Sequence, residues 1–324
     1  MPKTAAAHSR LTYGVGLCFA VMLAVPAGAD AQSTPTQLVV FGTSLSDPGN
    51  AFALVGTSAT PPDFTLDPFL IPSAPYARGG HHLSNGETWV EQLARDWHLG
   101  GTAGPAFQNQ NPTATNYAVA DARARDVAGS FNLLAQVDAF LRDVGGIAPS
   151  DAVYVIEIGS NDIRDALSPG ADAGTILGEA LTAIAHSISV LYAAGARNFL
   201  VWNVPDIGLA PALTIVDSMN PGAAAATTLA IQQYNAVFFG MLAGLPTVLP
   251  GINIIPFDAF GVIREIALHP SDYGLTNTTD SCLTPLVAPF ACQHPDEYLF
   301  WDGIHPTTAV HGIVADAVGA LLVP

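Results

Sequence analysis

The stretch LVVFGTSLSD, residues 38–47, decides the fold class. Its four leading apolar residues, Leu38–Phe41, are typical of a short strand that is covered on both faces of a parallel sheet. A glycine and two hydroxyl residues follow at once, so the strand is expected to end in a turn that presents Ser44. Because ligands of open parallel sheets bind beyond the carboxyl ends of the strands, Ser44 is a candidate site residue.

Strand-like and helix-like segments alternate over the rest of the chain. Three more apolar runs predict strands over residues 153–158, 199–204 and 252–257. One apolar stripe at helical spacing predicts a helix that Gly195 ends, and it consists of Leu177, Leu181, Ile184, Ile188 and Leu191. Further helices are predicted over residues 228–242, 260–268 and 308–322. The alternation predicts an α/β fold with a central parallel sheet, in a single domain over residues 32–324.

The N-terminal segment has the pattern of a signal peptide. Lys3 and Arg10 precede the apolar run Val15–Val25, and Ala29-Asp30-Ala31 supplies small residues around a cleavage site. The run is too short to span a bilayer, and no later run has the roughly 18 apolar residues that a membrane helix needs. We therefore expect residues 1–31 to be removed and the protein to be secreted or periplasmic.

Charge and cysteine content narrow the function further. The chain has 10 basic and 27 acidic residues, and Lys3 is its one lysine. Without a basic stripe to hold phosphate backbones, nucleic-acid binding is excluded. In an exported protein the nearby Cys282 and Cys292 favour a disulfide that closes a short loop, with two free thiols as the alternative.

Two further polar stretches join Ser44 as candidates for chemistry. GSND, residues 159–162, follows the second predicted strand, and WDGIHP, residues 301–306, precedes the last predicted helix. An imidazole can activate a serine hydroxyl, and a carboxylate can orient that imidazole. An asparagine amide or a backbone N–H can stabilise the oxyanion that forms. Each residue taken singly is also typical of a turn or a helix cap.

Taken in order, these stretches resemble the GDSL esterase/lipase family, also called SGNH hydrolases. The similar segments are FGTSLSDPGN (41–50), LSNGETWV (83–90), NYAV (116–119), IGSND (158–162), VPDIG (204–208) and DGIHP (302–306). The resemblance covers the chain from about residue 37 to its C-terminus. It implies a three-layer α/β/α, flavodoxin-like fold and hydrolysis of carboxylic esters, from small molecules or lipids, without a metal or cofactor.

The resemblance also implies a role for each site residue. Ser44 is the nucleophile, His305 the general base and acid, and Asp302 the carboxylate that orients it. The oxyanion hole consists of the Ser44 N–H, the Asn161 side chain and the N–H of residue 121. Phospholipase or acyltransferase activity, carbohydrate deacetylation and a non-catalytic binding protein with a degraded site remain alternatives.

Two positions depart from the family pattern. Thr43 stands where the family has an aspartate before the nucleophile, and Asp121 stands where it has an oxyanion-hole glycine. A carboxylate facing the oxyanion would repel it. Arg123 and Arg125 follow closely, so we expect Asp121 to point out of the oxyanion hole and pair with an arginine or with solvent.

The remaining polar and aromatic candidates have structural interpretations. His81-His82 could suggest a metal site, but adjacent side chains rarely converge on one ion. Asp162 and Asp206 are expected to stabilise their own turns. The core is expected to include Trp89, Trp97 and Phe107, and residues 57–80 to form a loop over the site.

Overall fold

Four parallel strands form the main sheet in the computed structural model, which describes residues 35–55, 82–108, 113–283 and 291–322. In spatial order they are β1 (Leu38–Gly42), β2 (Val153–Glu157), β3 (Asn198–Trp202) and β4 (Asn253–Phe257). Each lies on one of the predicted runs, with ends that differ by one or two residues. The sequence pattern succeeds here because β1 and β2 are buried along their whole length.

A fifth segment, residues 115–119, runs parallel to the outer edge of β1. The Val40 N–H donates to the Thr115 carbonyl, and Tyr117 and Val119 donate to carbonyls of β1. The segment follows β1 along the chain but lies on the side away from β2, so the order along the sheet is second, first, third, fourth, fifth. This is the flavodoxin-like order.

Nine helices in the described part of the chain accompany the sheet. They are α1 (Asn50–Val55), α2 (Trp89–Asp96), α3 (Leu133–Asp143), α4 (Ser160–Ala166), α5 (Ala173–Ala194), α6 (Pro211–Met219), α7 (Ala223–Val248), α8 (Ala259–Leu268) and α9 (Thr308–Leu322). A small second sheet pairs β5 (Asn277–Ser281) with β6 (Tyr298–Phe300) in parallel.

Successive side chains of the strands point to opposite faces of the sheet and enter two separate cores. Val39 and Phe41 pack with α3, α5 and α7 on one face. Leu38 and Val40 pack with α2, α8 and α9 on the other. The chain therefore has the predicted three-layer α/β/α architecture. Trp89 is buried in the second core, while Trp97 and Phe107 are half-buried at the edges of the two cores.

Helix α5 carries the predicted apolar stripe and ends as predicted at Gly195. This glycine has φ +123°, and a Cβ there would lie 2.6 Å from the Ala148 carbonyl oxygen. Both constraints favour glycine. Within the described ranges α5 is the one helix long and apolar enough to cross a membrane, but Ile184, Ile188 and Leu191 are buried in the first core.

Two predictions concern residues outside the described ranges. They are the signal peptide, residues 1–31, and the loop over residues 57–80. Contacts between Cα atoms group Ser33–Pro324 into one unit. The domain limits at residues 31 and 32 stay a prediction.

Candidate active site

Three side chains from the two ends of the chain form a continuous hydrogen-bonded relay. His305 Nε2 lies 2.8 Å from Ser44 Oγ, and His305 Nδ1 lies 2.9 Å from Asp302 Oδ2. Because a carboxylate can only accept, Nδ1 carries the proton and Nε2 is free to accept from the serine hydroxyl. This tautomer is the one that a general base for Ser44 requires.

A tight turn between β6 and α9 fixes the relative position of Asp302 and His305. Asp302 Oδ1 accepts from the backbone N–H groups of Ile304 and His305, both at 2.7 Å. The Trp301 N–H closes the turn by donating to the His305 carbonyl. Asp302 and His305 are both buried. The spacing of the DGIHP segment therefore directs the second carboxylate oxygen, Oδ2, at the imidazole.

The turn that carries Ser44 is folded around a buried carboxyl group, that of Glu157 at the end of β2. The Thr43 N–H donates to it at 3.1 Å, the Thr43 hydroxyl at 3.0 Å and the Ser46 hydroxyl at 3.0 Å. Burial raises the pKa of Glu157 to about 7, although these hydrogen bonds and the nearby His305 act in the opposite direction. The sequence interpretation missed Glu157, whose signal is a single acidic residue inside an apolar run.

Buried amides hold the segment that follows residue 115 against the nucleophile turn. Asn116 Nδ2 donates to the Ser46 carbonyl at 2.8 Å, and Asn50 Nδ2 donates to the Asn116 carbonyl at 2.7 Å. Asp47 accepts from the Ala120 N–H at 2.8 Å. These contacts bring residue 121 to the same rim as Ser44.

Three possible oxyanion donors line one pocket with the Ser44 hydroxyl. Asn161 lies in the first turn of α4, and its amide group donates one hydrogen to the Ala122 carbonyl at 2.9 Å, which leaves the other. In the part of the chain that the structure describes, the N–H groups of Ser44 and Asp121 have no hydrogen-bond acceptor. A substrate oxygen in the pocket could accept from all three.

Asp121 lies at the mouth of the pocket in a backbone conformation that favours glycine, and its side chain pairs with two arginines. Its φ is +65°, in the left-handed region that favours glycine. One carboxylate oxygen lies 2.7 Å from Arg123 and the other 2.7 Å from Arg164. Arg125, the other arginine expected as a partner, pairs instead with Asp162 and Asp165.

The pocket beside the relay is a mainly apolar chamber of about 150 Å³. Its lining includes residues at or just after the carboxyl ends of all four strands of the main sheet. Its inner wall combines buried side chains from β3, β4, β6 and α9 with half-buried ones from α8 and α9: Trp202, Phe257, Phe300, Val310, Val262, Ile263 and Val314. His311 also lines the pocket. Burial lowers its pKa to about 3, and its Nδ1 accepts from the Trp89 N–H, so it is neutral there.

A protein-family model matches most of this chain. The family model described as GDSL-like Lipase/Acylhydrolase matches residues 38–318 of the 324. This chain belongs to that family.

Curated relatives of this family member have low sequence identity. The thermolabile hemolysin of Vibrio parahaemolyticus is 24% identical, over 89% of this chain and 64% of the hemolysin. GDSL esterase/lipase At1g09390 of Arabidopsis thaliana is 25% identical, over 90% of this chain and 88% of the plant protein. GDSL esterase/lipase 7 of the same plant is 29% identical, over 51% of this chain and 50% of its own length. The chain thus spans less than two thirds of the hemolysin and about half of several plant relatives.

Two aspartates near the site accept hydrogen bonds from residues outside their own turns. Asp162 was expected to stabilise its own turn, but it is buried and accepts from the Ala124 N–H at 2.8 Å and from Arg125 at 2.9 Å. It therefore anchors the segment that follows Asp121. Asp206 accepts within its turn as expected, and also from Arg264 of α8 at 2.7 Å.

The metal hypothesis rested on His81-His82. His81 lies outside the described residues, and His82 Nε2 lies 2.7 Å from Glu91 Oε2. Over the described ranges, no group of three or more His, Cys, Asp or Glu side chains is placed to hold a metal ion.

The two cysteines in the C-terminal part of the chain form the expected disulfide. Cys282 and Cys292 form a disulfide whose Cα atoms are 4.9 Å apart. Cys282 is buried against Leu283 and Trp301, next to the turn that carries Asp302. The disulfide therefore lies beside the relay, at the end of β5.

Proposed function

We propose that this protein cleaves carboxylic esters with Ser44 as nucleophile, His305 as general base and acid, and Asp302 as the carboxylate that orients the imidazole. The observation that carries the proposal is the relay itself, with contacts of 2.8 Å and 2.9 Å, at the mouth of a pocket that also holds three oxyanion donors. These groups have the distances and the tautomer that the reaction needs.

The reaction proceeds in two halves. Ser44 Oγ attacks the ester carbonyl carbon while its proton moves to His305 Nε2, and the N–H groups of Ser44, Asp121 and Asn161 donate to the oxyanion. His305 then passes the proton to the leaving alcohol as the C–O bond breaks, which leaves an acyl-serine. A water molecule repeats the sequence, its proton moving to His305, and releases the acid and free Ser44.

We propose an ester whose acyl part is a hydrocarbon chain. The chamber beside Ser44 is walled by Trp202, Phe257 and Val310, which offer little to the hydroxyl groups of a sugar. Each methylene group buried there contributes about 0.8 kcal/mol, or roughly fourfold in kcat/KM. The names of the relatives, esterase/lipase and hemolysin, support an acyl ester of this kind.

We also propose export, through cleavage after residue 31. The support is the N-terminal sequence pattern together with the Cys282–Cys292 bond, since disulfides persist in oxidising compartments. Sequencing the N-terminus of the protein recovered from the periplasm or medium tests this directly. A mature protein that kept residues 1–31 would contradict it.

A substrate panel tests the proposed reaction. The purified protein should hydrolyse p-nitrophenyl esters, with kcat/KM rising from the acetate ester to longer acyl chains, and it should react with a serine-directed phosphonate. EDTA should leave the rate unchanged. A faster reaction with a phospholipid than with any simple ester would favour the phospholipase alternative, and an acetate optimum the carbohydrate esterase. A protein that neither hydrolyses nor labels would be a binding protein.

A further inference from the structure

The nucleophile turn, residues 43–46, is folded around the Glu157 carboxyl group. The Glu157 side chain is buried and accepts from one N–H and two hydroxyl groups of residues 43 and 46. The carboxyl group can approach the turn because residue 42 is a glycine. A Cβ at that position would lie 3.0 Å from Glu157 Oε2. None of the ion pairs among the described residues involves Glu157. The contacts of this carboxyl group are therefore its hydrogen bonds to the turn.

The same carboxyl group lies against the residue directly before the nucleophile. The Thr43 hydroxyl donates to Glu157 Oε1 at 3.0 Å and lies 3.1 Å from Oε2. A carboxyl group of the neighbouring strand thus holds residue 43 in place.

We propose that Glu157, on the strand next to β1, is a positioning residue for Ser44. The inference rests on the proposed function, because it concerns how the nucleophile is held. Glu157 does not touch the substrate. It orients Ser44 through Thr43 and Ser46, one residue before and two residues after the nucleophile.

The surroundings of Glu157 connect its charge to the relay. Gln136 of α3 accepts from the Gly42 N–H and donates to the Gly42 carbonyl, and Trp89 of α2 donates to the Ser46 hydroxyl. The side chains that α3 and α2 place beside the nucleophile turn are therefore uncharged. The charge of a protonated His305 acts on Glu157 and favours its ionised form. When His305 takes the serine proton, an ionised Glu157 stabilises the resulting imidazolium together with Asp302.

Exchanging the two side chains is the sharpest test. Thr43→Asp alone sets two carboxyl groups against each other in a buried site and should lower kcat by about a hundredfold or more. The double variant Thr43→Asp/Glu157→Thr should recover to within about tenfold of the wild type, because one carboxyl group is again beside the turn. A double variant no more active than Thr43→Asp would overturn the proposal.

Glu157→Gln keeps the size of the side chain and removes its charge. We expect kcat to fall about tenfold with little change in KM, and the rise of activity with pH between about 6 and 8 to flatten, because the ionisation of Glu157 no longer contributes. Tyr154→Phe is the matched control on β2. It removes the hydroxyl that donates to the Pro149 carbonyl, away from the nucleophile turn, and should keep the wild-type pH profile.

The rate of phosphonate labelling separates the possible failures. Glu157→Gln and Thr43→Asp should both be labelled more slowly than the wild type, while circular dichroism shows that they are folded. Wild-type kcat, pH profile and labelling rate in Glu157→Gln would overturn the positioning role and leave the proposed function standing. A wild-type protein that neither hydrolyses esters nor labels would instead overturn the proposed function.

Discussion

Asp121 and Arg164 are joined at the mouth of the pocket, with Asp121 Oδ1 2.7 Å from an Arg164 guanidinium nitrogen. Arg123 holds the other carboxylate oxygen at the same distance. Two cations therefore neutralise the carboxylate of Asp121, at the position where the resemblance predicts a glycine. The Asp121 side chain is 68% exposed, which screens its charge further.

This pairing predicts that the departure at position 121 costs little activity. Asp121→Gly should change kcat by less than about tenfold, because the N–H and the positive φ are kept and the lost charge was already neutralised. Asn161→Ala should lower kcat about a hundredfold, since it removes an oxyanion donor. Steady-state kinetics of the two variants with one ester decide the matter. A hundredfold gain from Asp121→Gly would show that the carboxylate faces the site and weakens it.

The apolar chamber predicts how acyl chain length is selected. Val314→Phe, on the α9 wall of the pocket, should lower the ratio of kcat/KM for octanoate over acetate by about tenfold, because the larger ring fills space that the chain would occupy. Ile313→Phe is the matched control, one residue earlier on the same helix and absent from the pocket lining. An equal shift in both variants would mean that the chamber is not the acyl site.

The raised pKa of Glu157 predicts a pH-dependent stability. Its value is about 7 in the folded protein against 4.5 ordinarily, so the folded state binds more protons across that interval. Its contribution to the free energy of unfolding is complete below about pH 4.5 and falls by roughly 3 kcal/mol as the pH rises through 7.

Urea unfolding at pH 5 and pH 8 checks this prediction. Relative to the wild type, Glu157→Gln should gain stability on going from pH 5 to pH 8, since the glutamine has no proton to lose. Comparing variant with wild type cancels the titration of other buried groups, His311 among them. A difference between the two proteins that did not change with pH would contradict the assigned environment of Glu157.

The disulfide predicts a linked peptide. A digest of the protein without reduction should yield a fragment that joins Cys282 to Cys292, and mass spectrometry identifies it. Its closed loop of about ten residues stabilises by roughly 2–3 kcal/mol on the chain-entropy model, so Cys282→Ala should lower Tm by several degrees. Complete alkylation of both cysteines without reduction would refute the bond.

The strands of this protein were predictable because their burial on both faces requires a run of apolar residues. A strand covered on both faces is apolar at every position, as in Leu38–Phe41. Such a run is missing from residues 115–119, where the polar Thr115 and Asn116 are buried with their side chains bonded to backbone carbonyls. Their pairing with β1 became visible only in three dimensions.

The candidate site also contains residues that the sequence predicts and residues that only the structure reveals. Ser44, Asn161 and His305 stand in stretches whose order along the chain resembles a family pattern, so they could be named from the sequence. Glu157 could not, because its partners lie 111 to 114 residues away along the chain. The pairing of Asp121 with Arg164 is likewise a contact between elements distant in sequence, and only the closer Arg123 was foreseen.

The most direct test of the central claim is the reaction of Ser44 itself. Wild-type protein treated with a serine-directed phosphonate should gain one label, located on the peptide that contains Ser44, and lose its ester hydrolysis in proportion. Ser44→Ala should remain folded, take up no label and keep less than about a thousandth of the wild-type kcat. His305→Ala should lose activity to a similar extent, because relay members act as a unit. Label on another residue, or more than about a tenth of wild-type kcat in Ser44→Ala, would contradict the account.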